Sequence, residues 1–599
     1  MNEAPERHPH DVLVIGAGGA GLRAAIAAAE AGADVGLVCK SLLGKAHTVM
    51  AEGGVAAALG HVAEQDSWQI HFRDTMIGGK LLNNPRMAQL HAQESPARVR
   101  ELEAWGAVFD RTRDGRILQR PFGGHSHPRL AHVGDRTGLE MIRTLQDRAV
   151  AAGIKVYMES TITHLLSWTD RVRGALGYWR TTGRPVVFPA KAIVLATGGV
   201  GRAWEVSSNS WEYSGDGQAL AYLAGADLID MEFVQFHPTG MVWPPSVRGI
   251  LVTEGVRGDG GTLKNTAGER FMFNYIPEFF KGETADNHEE ADRWYLDKKN
   301  NRRTPDLLPR DEVARAINSE VKAGRGTPHG GVFLDICTRQ PADYIRKRLP
   351  SMYHQFKELA GVDITKEPME VGPTMHYVMG GVRVDADSTA CTVPGLFAAG
   401  EVAGGLHGSN RLGGNSLGDL LVFGRRAGLH AALYCKNLGG RLTVDAGQVE
   451  SIARTMLEPF TRSGGENPYS IQADLQDTMH ELVGIIRVER ELQEALKKLE
   501  VLKQRAAKVR VEGGRIYNPG WHTALDLASL LTVAECCALA ALERKESRGG
   551  HTREDHPYTD DTWGSVNLVA RQQGDRVDLR REPLPQMPPE LKALFQERK

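Results

Sequence analysis

The sequence predicts an α/β fold in which a discontinuous Rossmann-like domain is interrupted by an inserted α+β capping domain and followed by helices. Three patterns support this prediction. An apolar run at 12–15 leads into glycines and an alanine-rich segment, which is typical of a strand, a tight turn and a helix. Apolar runs that end in glycine recur at 192–199 and 395–401. After residue 440, apolar positions spaced three and four apart predict packed helices.

The recurring strand pattern also predicts how the chain is divided. Because the runs at 192–199 and 395–401 both end in glycine, we expect the two strand ends to approach the same ligand. The predicted parts are the Rossmann-like domain at 1–245 and 371–434, the capping domain at 246–370, a helical domain at 435–545 and an extended C-terminal region at 546–599.

Inside these parts the pattern varies. In the capping domain, residues 278–309 are polar and loop-like, 310–323 have helical periodicity, and 330–336 resemble a strand. Three helices are expected in the helical domain, at 449–462, 471–483 and 487–511. A coiled coil is the alternative, but fewer than four heptads favour a packed bundle.

The C-terminal region is rich in charge, His and Pro, with little core-forming pattern. We expect it to wrap a surface, to form part of a partner's docking surface, or to be a solvated end.

Composition excludes several classes of protein. The 599 residues leave room for about four domains. The 72 basic and 74 acidic residues nearly cancel, so the overall field attracts neither nucleic acid nor an anionic membrane, and no nucleic-acid partner is expected. Glycine contributes 67 residues, about 11% against a usual ~7%, which indicates tight turns and close approaches to something bound.

The six cysteines are scattered and include no C-x-x-C pair, which argues against iron–sulfur, zinc-ribbon and c-type haem sites within this chain. They are Cys39, Cys337, Cys391, Cys435, Cys536 and Cys537. We therefore expect reduced thiols and no metal site. Residues 1–10 are polar and do not resemble a signal peptide, so export is not expected.

One segment, 524–542, is apolar enough to be considered as a membrane span. It carries Asp526 and Glu535 in its interior, which favours a buried amphipathic helix. If a membrane matters for this protein, another chain is expected to supply it.

The glycine turn at 16–21 lies between the first strand and helix, where a pyrophosphate can reach the unpaired N–H groups of the helix. Dinucleotide binding is therefore predicted, and a merely tight turn is the alternative. The second strand ends at Lys40 and Ser41 and lacks the acidic residue that holds the ribose of NAD. That weakens an NAD interpretation, whereas a lysine could meet the extra phosphate of NADP. In the small-residue segment 45–54, a flavin ring edge could lie against His47, although such a histidine is more often solvated.

A set of motifs that spans nearly the whole chain resembles the flavoprotein subunit of succinate dehydrogenase and fumarate reductase. The motifs, in the order of that family, are the glycine turn, H-T-x-x-A-E-G-G at 47–54, M-E-F-V-Q-F-H-P-T-G at 231–240, T-E-G-V-R-G at 253–258, H-Y-V-M-G-G at 376–381, R-L-G-G-N-S-L at 411–417 and K-E-S-R-G-G at 545–550. The resemblance implies a discontinuous Rossmann-like FAD-binding domain with an inserted capping domain.

The cofactor that the resemblance implies is FAD, attached covalently through the imidazole of His47. A tethered and electronically perturbed flavin accepts electrons more readily, which the oxidation of an unactivated C–C bond requires. The glycines of the turn would cradle the pyrophosphate, and Lys40 and Ser41 would lie near the adenosine. The implied cofactor contacts are His47, Gly16, Gly18, Gly19, Gly21, Lys40, Ser41, Thr48, Gly53, Gly54, Ala196, Thr197, Asp216, Glu401, Ser416 and Leu417.

The implied substrate is a small C4 dicarboxylate, which needs polar or cationic donors at both ends. By resemblance these donors are His237, Thr253, His376 and Arg411, with Phe122 packed nearby.

The implied catalytic residue is Arg310, on the capping domain. Without the resemblance it would be taken for a surface arginine at a helix start. As a hypothesis, hydride leaves one methylene for flavin N5 while Arg310 takes a proton from the neighbouring carbon, and Glu254 and Arg257 carry that proton toward solvent. A guanidinium is almost never a base, so this role requires other positive charge nearby, whereas donating a proton in fumarate reduction does not.

The electrons must leave through a second protein, because this chain has no cysteine clusters to carry them. The resemblance implies an iron–sulfur subunit with membrane anchor subunits that exchange electrons with quinone, at the cytoplasmic face of a prokaryotic cell membrane. Succinate oxidation is the preferred direction, and quinol-dependent fumarate reduction is the alternative. Other candidates are L-aspartate oxidase, which holds its flavin without the covalent histidine, a soluble one-chain fumarate reductase, and a flavin-bearing scaffold that has lost catalysis.

Overall fold

The computed structural model describes residues 5–168, 170–438 and 443–596, and it has the predicted α/β class. The strands in these ranges are β1 Glu6–Arg7, β2 His10–Ile15, β3 Val35–Val38, β4 Val55–Ala56, β5 Gln119–Arg120, β6 Leu130–Ala131, β7 Lys155–Tyr157, β8 Ser160–Trp168, β9 Arg171–Trp179, β10 Pro185–Leu195, β11 Leu228–Ile229, β12 Val234–Met241, β13 Thr262–Lys264, β14 Val332–Asp335, β15 Met369–Val378, β16 Gly381–Val382, β17 Leu396–Ala398, β18 Val566–Gln573 and β19 Arg576–Pro583. The α-helices are α1 Gly19–Glu30, α2 Trp68–Gly78, α3 Pro85–Ala104, α4 Thr137–Ala151, α5 Asp216–Leu223, α6 Gly255–Gly258, α7 His288–Trp294, α8 Arg310–Lys322, α9 Ala342–Arg348, α10 Pro350–Ala360, α11 Asn415–Lys436, α12 Ala446–Thr461, α13 Pro468–Leu482, α14 Glu489–Ala506, α15 Pro519–Glu543 and α16 Pro589–Ala593.

The main sheet has the order β7-β3-β2-β10-β9-β8, and β1 and β17 also pair with β10. Strands β7, β3, β2, β10 and β17 are parallel, whereas β9 and β8 are antiparallel. Leu195 is in register with both Ile15 and Ala398. The three glycine-ending strands therefore finish at one sheet edge, which is where such folds bind ligands.

The glycine turn after β2 has little room for side chains. Gly16 has φ +107°, and a Cβ atom there would overlap the carbonyl of Ala196. A Cβ atom at Gly21 would overlap the Gly16 carbonyl. Glycine lets the turn pass directly under the end of β10, because it adopts positive φ and carries no side chain.

The capping domain is built on the sheet β12-β15-β14-β13, in which β12 and β15 pair directly. The helix predicted at 310–323 is α8, and the strand predicted at 330–336 is β14. The polar stretch predicted as loop contains the short helix α7 as well as 3₁₀ turns. Strand β15 crosses the predicted boundary at 370, so the FAD-side and cap-side parts share one sheet.

After residue 442 the chain forms helices α12 to α15, of which α13, α14 and α15 share one hydrophobic core with the main sheet. This is the predicted packed bundle. Within the described ranges, α15 is the one helix long and apolar enough to cross a membrane. It is a core helix here, because its Leu527, Leu530 and Val533 are fully buried in that shared core.

The expectation that the C-terminal region has little core-forming pattern is wrong. Strand β18 pairs with both β11 and β19, and Leu568, Val569 and Ala570 are buried. Several polar residues before β18 are also buried and are held in ion pairs, as in the contact of Arg544 with Glu232 and Glu546. Sequence periodicity misses such a core because its buried side chains are charged.

Candidate active site

A single cavity opens at the glycine end of the main sheet and extends under the capping domain. The predicted residues that line it are Gly16, Gly18, Gly19, Lys40, Ser41, His47, Thr48, Gly53, Gly54, Phe122, Ala196, Thr197, Asp216, His237, Thr253, Glu254, Arg310, His376, Glu401, Arg411, Ser416 and Leu417. Two predicted residues lie outside this lining. Gly21 lies within α1 and packs against Gly16 of the preceding turn. Arg257 lies near Glu254 but does not reach the cavity lining.

The first part of the cavity suits a diphosphate. Helix α1 begins at Gly19 without a capping side chain at Gly18, and the Gly19 N–H donates to Thr48 Oγ1 over 3.3 Å. The open N-terminus of a helix attracts phosphate through its free N–H groups and its dipole. Any side chain at Gly16 or Gly18 would crowd this approach, so the turn fits a dinucleotide.

Lys40 does not offer a free charge to a second phosphate. Its Nζ donates to Ser214 Oγ (2.8 Å), to Asp216 Oδ2 (3.0 Å) and to Asp526 Oδ1 (2.8 Å). Burial opposes the charged form of Lys40, but the two carboxylates outweigh it and raise the pKa of Lys40. Two carboxylates around one ammonium disfavour the extra phosphate of NADP, and this removes the alternative that the sequence leaves open.

Asp526 is a site residue that sequence reasoning did not assign. It lies on α15, in the helical domain, and the signal for it was a carboxylate inside an otherwise apolar helix. Its partner Lys40 is 486 residues earlier in the chain. The helical domain therefore contributes to the cofactor cavity indirectly, by holding the lining residue Lys40.

His47 lies farther along the cavity, where it is half-buried next to Asn209 and Tyr213. The Asn209 Nδ2 atom is 3.3 Å from His47 Nε2, and the ring of Tyr213 is 4.7 Å from the imidazole ring. Nδ1 has no hydrogen-bond partner in the part of the chain that the structure describes. Burial lowers the pKa of His47 to about 4, so the imidazole is neutral near pH 7. A neutral imidazole with an unpaired nitrogen is a suitable nucleophile for attachment to a flavin.

Two further histidines and an arginine gather at the next part of the cavity. The rings of His237 and His376 are 5.4 Å apart, and His376 Nδ1 is 2.9 Å from Ser208 Oγ. Burial lowers the pKa of both imidazoles well below the usual value, and neighbouring guanidinium groups lower it further. Both rings are therefore neutral and can donate one hydrogen bond each to a carboxylate.

Arg411 is fixed from two sides in the same region. It donates to Ser416 Oγ (2.6 Å) and Gln235 Oε1 (3.1 Å), and its guanidinium lies 4.2 Å from the centre of the Tyr377 ring. Its Nε is buried without a partner among the described residues. Burial, and then Arg310, lower the pKa of Arg411 to about 10, so it still carries its charge near pH 7.

Arg310 enters this cavity from the capping domain. It is the first residue of α8, and its guanidinium lies 5.9 Å from the Phe122 ring. Arg310 Nε donates to Glu254 Oε2 over 3.2 Å, while NH1 is buried and unpaired within the described chain. The arrangement brings a cap arginine and a fixed arginine, Arg411, to one cavity, which is suited to a ligand with two negative ends.

Comparison with known proteins agrees with this geometry. Residues 11–417 match the family described as FAD binding domain, and residues 472–594 match the one described as fumarate reductase flavoprotein C-term. A succinate dehydrogenase flavoprotein subunit of Rickettsia bellii is 35% identical over 98% of this chain and 97% of its own length. The chain belongs to the family of succinate dehydrogenase and fumarate reductase flavoprotein subunits.

Other members of the family are similar over a comparable length. A CoM/CoB fumarate reductase subunit from Methanothermobacter marburgensis is 43% identical over 94% of this chain and 98% of its own. Among solved structures, Mycobacterium smegmatis Sdh1 in complex with UQ1 is 60% identical, with a TM-score of 0.87 over 99% of this chain and 97% of that one. The quinol fumarate reductase FrdA of E. coli is 35% identical, with a TM-score of 0.88 over 98% of both chains.

In this flavoprotein, Glu254 lies among three guanidinium groups. Burial by itself would raise the pKa of Glu254, but Arg310, Arg257 and Arg303 hold it below the usual value. Arg303 was missed by sequence reasoning because it lies in the polar segment predicted as loop. A Cβ atom at Gly123 would lie 2.8 Å from Glu254 Oε1 and 3.9 Å from Arg303 NH2, so the two side chains meet over that glycine.

Glu52 is a third missed residue, although it is part of the 47–54 motif. Its carboxyl lines the cavity and contacts Thr253. Burial, and then the charge of Asp135, raise the pKa of Glu52 to about 8, so it is largely protonated near pH 7. A neutral carboxyl beside Thr253 adds a hydrogen-bond donor to this flavoprotein's cavity without adding negative charge.

Proposed function

We propose that this flavoprotein subunit oxidises succinate to fumarate, with FAD attached to His47. The observation that supports this most directly is the placement of Arg310, from the capping domain, in the same cavity as Arg411, His237 and His376. The cap therefore completes a site that the FAD-binding domain only half forms.

The charge balance of the site supports a dianionic substrate. Arg310, Arg257 and Arg303 surround the single carboxylate of Glu254, and Arg411 adds another positive charge. Arg310 NH1 and Arg411 Nε are buried donors without partners in the described structure. A buried charged donor without an acceptor is costly, so two carboxylates placed between these groups would stabilise both. His237, His376 and Thr253 would supply the remaining donors, with Phe122 packing beside the carbon chain.

FAD, when bound, supplies the two-electron acceptor for the hydride that leaves one methylene of the substrate. The residues proposed to hold it are those of the glycine turn, together with Lys40, Asp216, Glu401, Ser416 and Leu417. Their part is to bind and orient the cofactor, while closure of the cap excludes water from the reacting carbons.

Arg310 is proposed to take the proton from the neighbouring carbon and to pass it to Glu254. The 3.2 Å contact of Arg310 Nε with Glu254 Oε2 gives the path for this first transfer. The depressed pKa of Glu254 keeps the carboxylate ionised beforehand and lets it release the proton again afterwards. Arg257 lies behind Glu254 and donates from NH1 to the Asp306 carbonyl (2.6 Å), while its NH2 is unpaired in the described residues. Arg257 would carry the proton onward.

The reverse reaction is the second candidate. In fumarate reduction Arg310 donates a proton, which suits a guanidinium without further perturbation. The names of the relatives divide between succinate dehydrogenase and fumarate reductase, so the rates of the two reactions in the isolated complex are what decide the direction.

Electrons are proposed to leave through an iron–sulfur subunit that is held on membrane anchor subunits, at the cytoplasmic face of the cell membrane. The supporting observation is that each cysteine of this chain is free and none belongs to a cluster motif. A quinol fumarate reductase is among the similar solved structures, and its name links that protein to quinol chemistry.

An assay of the isolated complex tests the proposed function. We expect succinate to reduce an artificial acceptor dye, and a reduced dye to drive fumarate reduction more slowly. L-Aspartate oxidation without succinate oxidation would support an L-aspartate oxidase, and no dicarboxylate-dependent dye reduction at all would support a scaffold. Either result would overturn the proposal.

Replacing Arg303 by glutamine should move the pH profile of succinate oxidation. Removing this positive charge raises the pKa of Glu254, because less charge then favours its ionised form. Activity needs the ionised carboxylate and is lost as pH falls through its pKa, so the acidic limb should move to higher pH by about one unit. The measurement is kcat against pH. Arg302→Gln is the matched control, since the neighbouring Arg302 pairs with Glu290 and not with the site. An acidic limb that stays in place in Arg303→Gln would contradict this role.

A further inference from the structure

The K-E-S-R-G-G motif at 545–550 lies outside the cavity but contacts the loop that carries Arg411. The Gly550 N–H donates to the Ser409 carbonyl over 2.8 Å. Gly549 has φ +56°, and a Cβ atom there would lie 2.5 Å from the Ser409 carbonyl oxygen. Two glycines are therefore needed for the C-terminal segment to pass this close to the loop, in which Arg411 lies two residues after Ser409.

The buried Arg487 holds the same segment in place by hydrogen bonds. The Arg487 N–H donates to the Thr552 carbonyl (3.0 Å), and Arg487 NH1 is 2.7 Å from His551 Nδ1 and from the Glu232 carbonyl oxygen. Arg487, His551 and Glu232 are each almost fully buried. Residues 549–552 thus form a fixed surface that belongs to the FAD-binding side of the molecule.

Among the described residues, Arg315 is the side chain of α8 that hydrogen-bonds to this fixed surface. Arg315 NH1 donates to the Gly549 carbonyl (3.3 Å) and to Thr552 Oγ1 (3.1 Å). On its own helix, Arg315 NH2 pairs with Glu312 at 2.6 Å and with Asp311 at 3.5 Å. The guanidinium is therefore oriented by two carboxylates of α8 and bonded to two acceptors across the domain boundary.

We propose that Arg315 is a positioning residue that holds α8 against residues 549–552 and thereby sets Arg310 opposite Arg411. Arg315 and Arg310 lie on one helix, five residues apart, and Gly549 and Gly550 touch the loop of Arg411. One short C-terminal segment thus contacts both halves of the proposed substrate site. This inference rests on the proposed function, because it concerns how that site is assembled.

The contact is suited to a closed state that can reopen. The acceptors on the fixed side, a carbonyl and a hydroxyl, are neutral, and the Arg315 side chain is 25% exposed. Water can replace those two bonds when the cap moves away, while the ion pairs to Asp311 and Glu312 stay on α8. Closure then gains two bonds to a charged donor, which shifts the population toward the arrangement that places Arg310 in the cavity.

The test compares Arg315→Gln, Arg315→Lys, Thr552→Val and the double variant Arg315→Gln/Thr552→Val in the isolated complex. Arg315→Gln should lower kcat/KM for succinate about tenfold, with flavin content and melting temperature unchanged. Arg315→Lys keeps the charge and should restore part of the loss. The double variant should be little worse than Arg315→Gln, because both changes remove the same contact. Lys322→Gln, at the exposed last turn of α8, is the matched control and should behave as wild type.

Hydrogen–deuterium exchange of the α8 amides provides a readout that needs no turnover. Exchange in α8 should be faster in Arg315→Gln than in wild type, and exchange in α14 should be unchanged. If the wild-type complex does not oxidise succinate, the proposed function fails, and the exchange result still decides the role of Arg315. Unchanged α8 exchange, or losses in the double variant that are simply additive, would overturn the positioning role.

Discussion

Replacing Arg310 by alanine should abolish succinate oxidation, by at least about 10³-fold in kcat, while FAD remains bound. In the proposed mechanism this side chain accepts the proton from the substrate, and Glu254 is its nearest carboxylate partner. In the described residues, no other capping-domain guanidinium is placed among the residues lining the cavity. The measurement is the dye-linked rate together with the flavin absorbance of the purified complex.

Two further variants make the Arg310 result specific. Arg310→Lys keeps a positive charge but loses the fork that reaches both Glu254 and the substrate, so it should recover binding more than turnover. Arg293→Ala removes an exposed arginine from α7 of the same domain and should leave the rate unchanged. Near-normal turnover in Arg310→Ala would contradict its assignment as the catalytic residue.

Replacing His47 by alanine should release the flavin from the denatured chain and lower succinate oxidation at least about tenfold. A fall of about 30 mV in a two-electron potential changes the equilibrium about tenfold, and the loss of the covalent substituent is expected to lower the flavin potential by at least that much. Fumarate reduction should fall less, because a lower potential favours the transfer of electrons to the substrate. The measurements are in-gel flavin fluorescence after acid denaturation and the two dye-linked rates.

The control for His47 is a histidine of the capping domain. His354→Ala changes an exposed side chain on α10 and should keep both the fluorescent band and the rates. A wild-type chain that loses all its flavin in acid would contradict the covalent link. Equal losses in both directions for His47→Ala would contradict the proposed effect on potential.

Much of the fold follows from local pattern. The strand, glycine turn and helix at the start of the chain, and the strands that end at 195 and 398, were predictable because each is encoded within about ten residues. The start of α8 at Arg310 also follows from helical periodicity. These elements place the glycine turn at the end of β2 and Arg310 at the start of α8.

The rest of the site depends on contacts between distant parts of the chain. Asp526 meets Lys40 across 486 residues, and Arg303 meets Glu254 from a segment without periodicity. The C-terminal region was misjudged for a related reason, since Arg544, Glu546 and Arg553 are buried through ion pairs that no single segment reveals. Local pattern predicts which residues are apolar together, whereas pairs of buried charges are specified only by the assembled fold.

The ion pairs of Lys40 with Asp216 and Asp526 have a consequence for how the protein is made. Ribosomes make the chain from its amino terminus, so the nucleotide-binding turn is synthesised hundreds of residues before α15 emerges with Asp526. Until then Lys40 lacks one of its two anions, and the pocket is incomplete. We therefore expect FAD to be taken up late in synthesis, once α15 has been made.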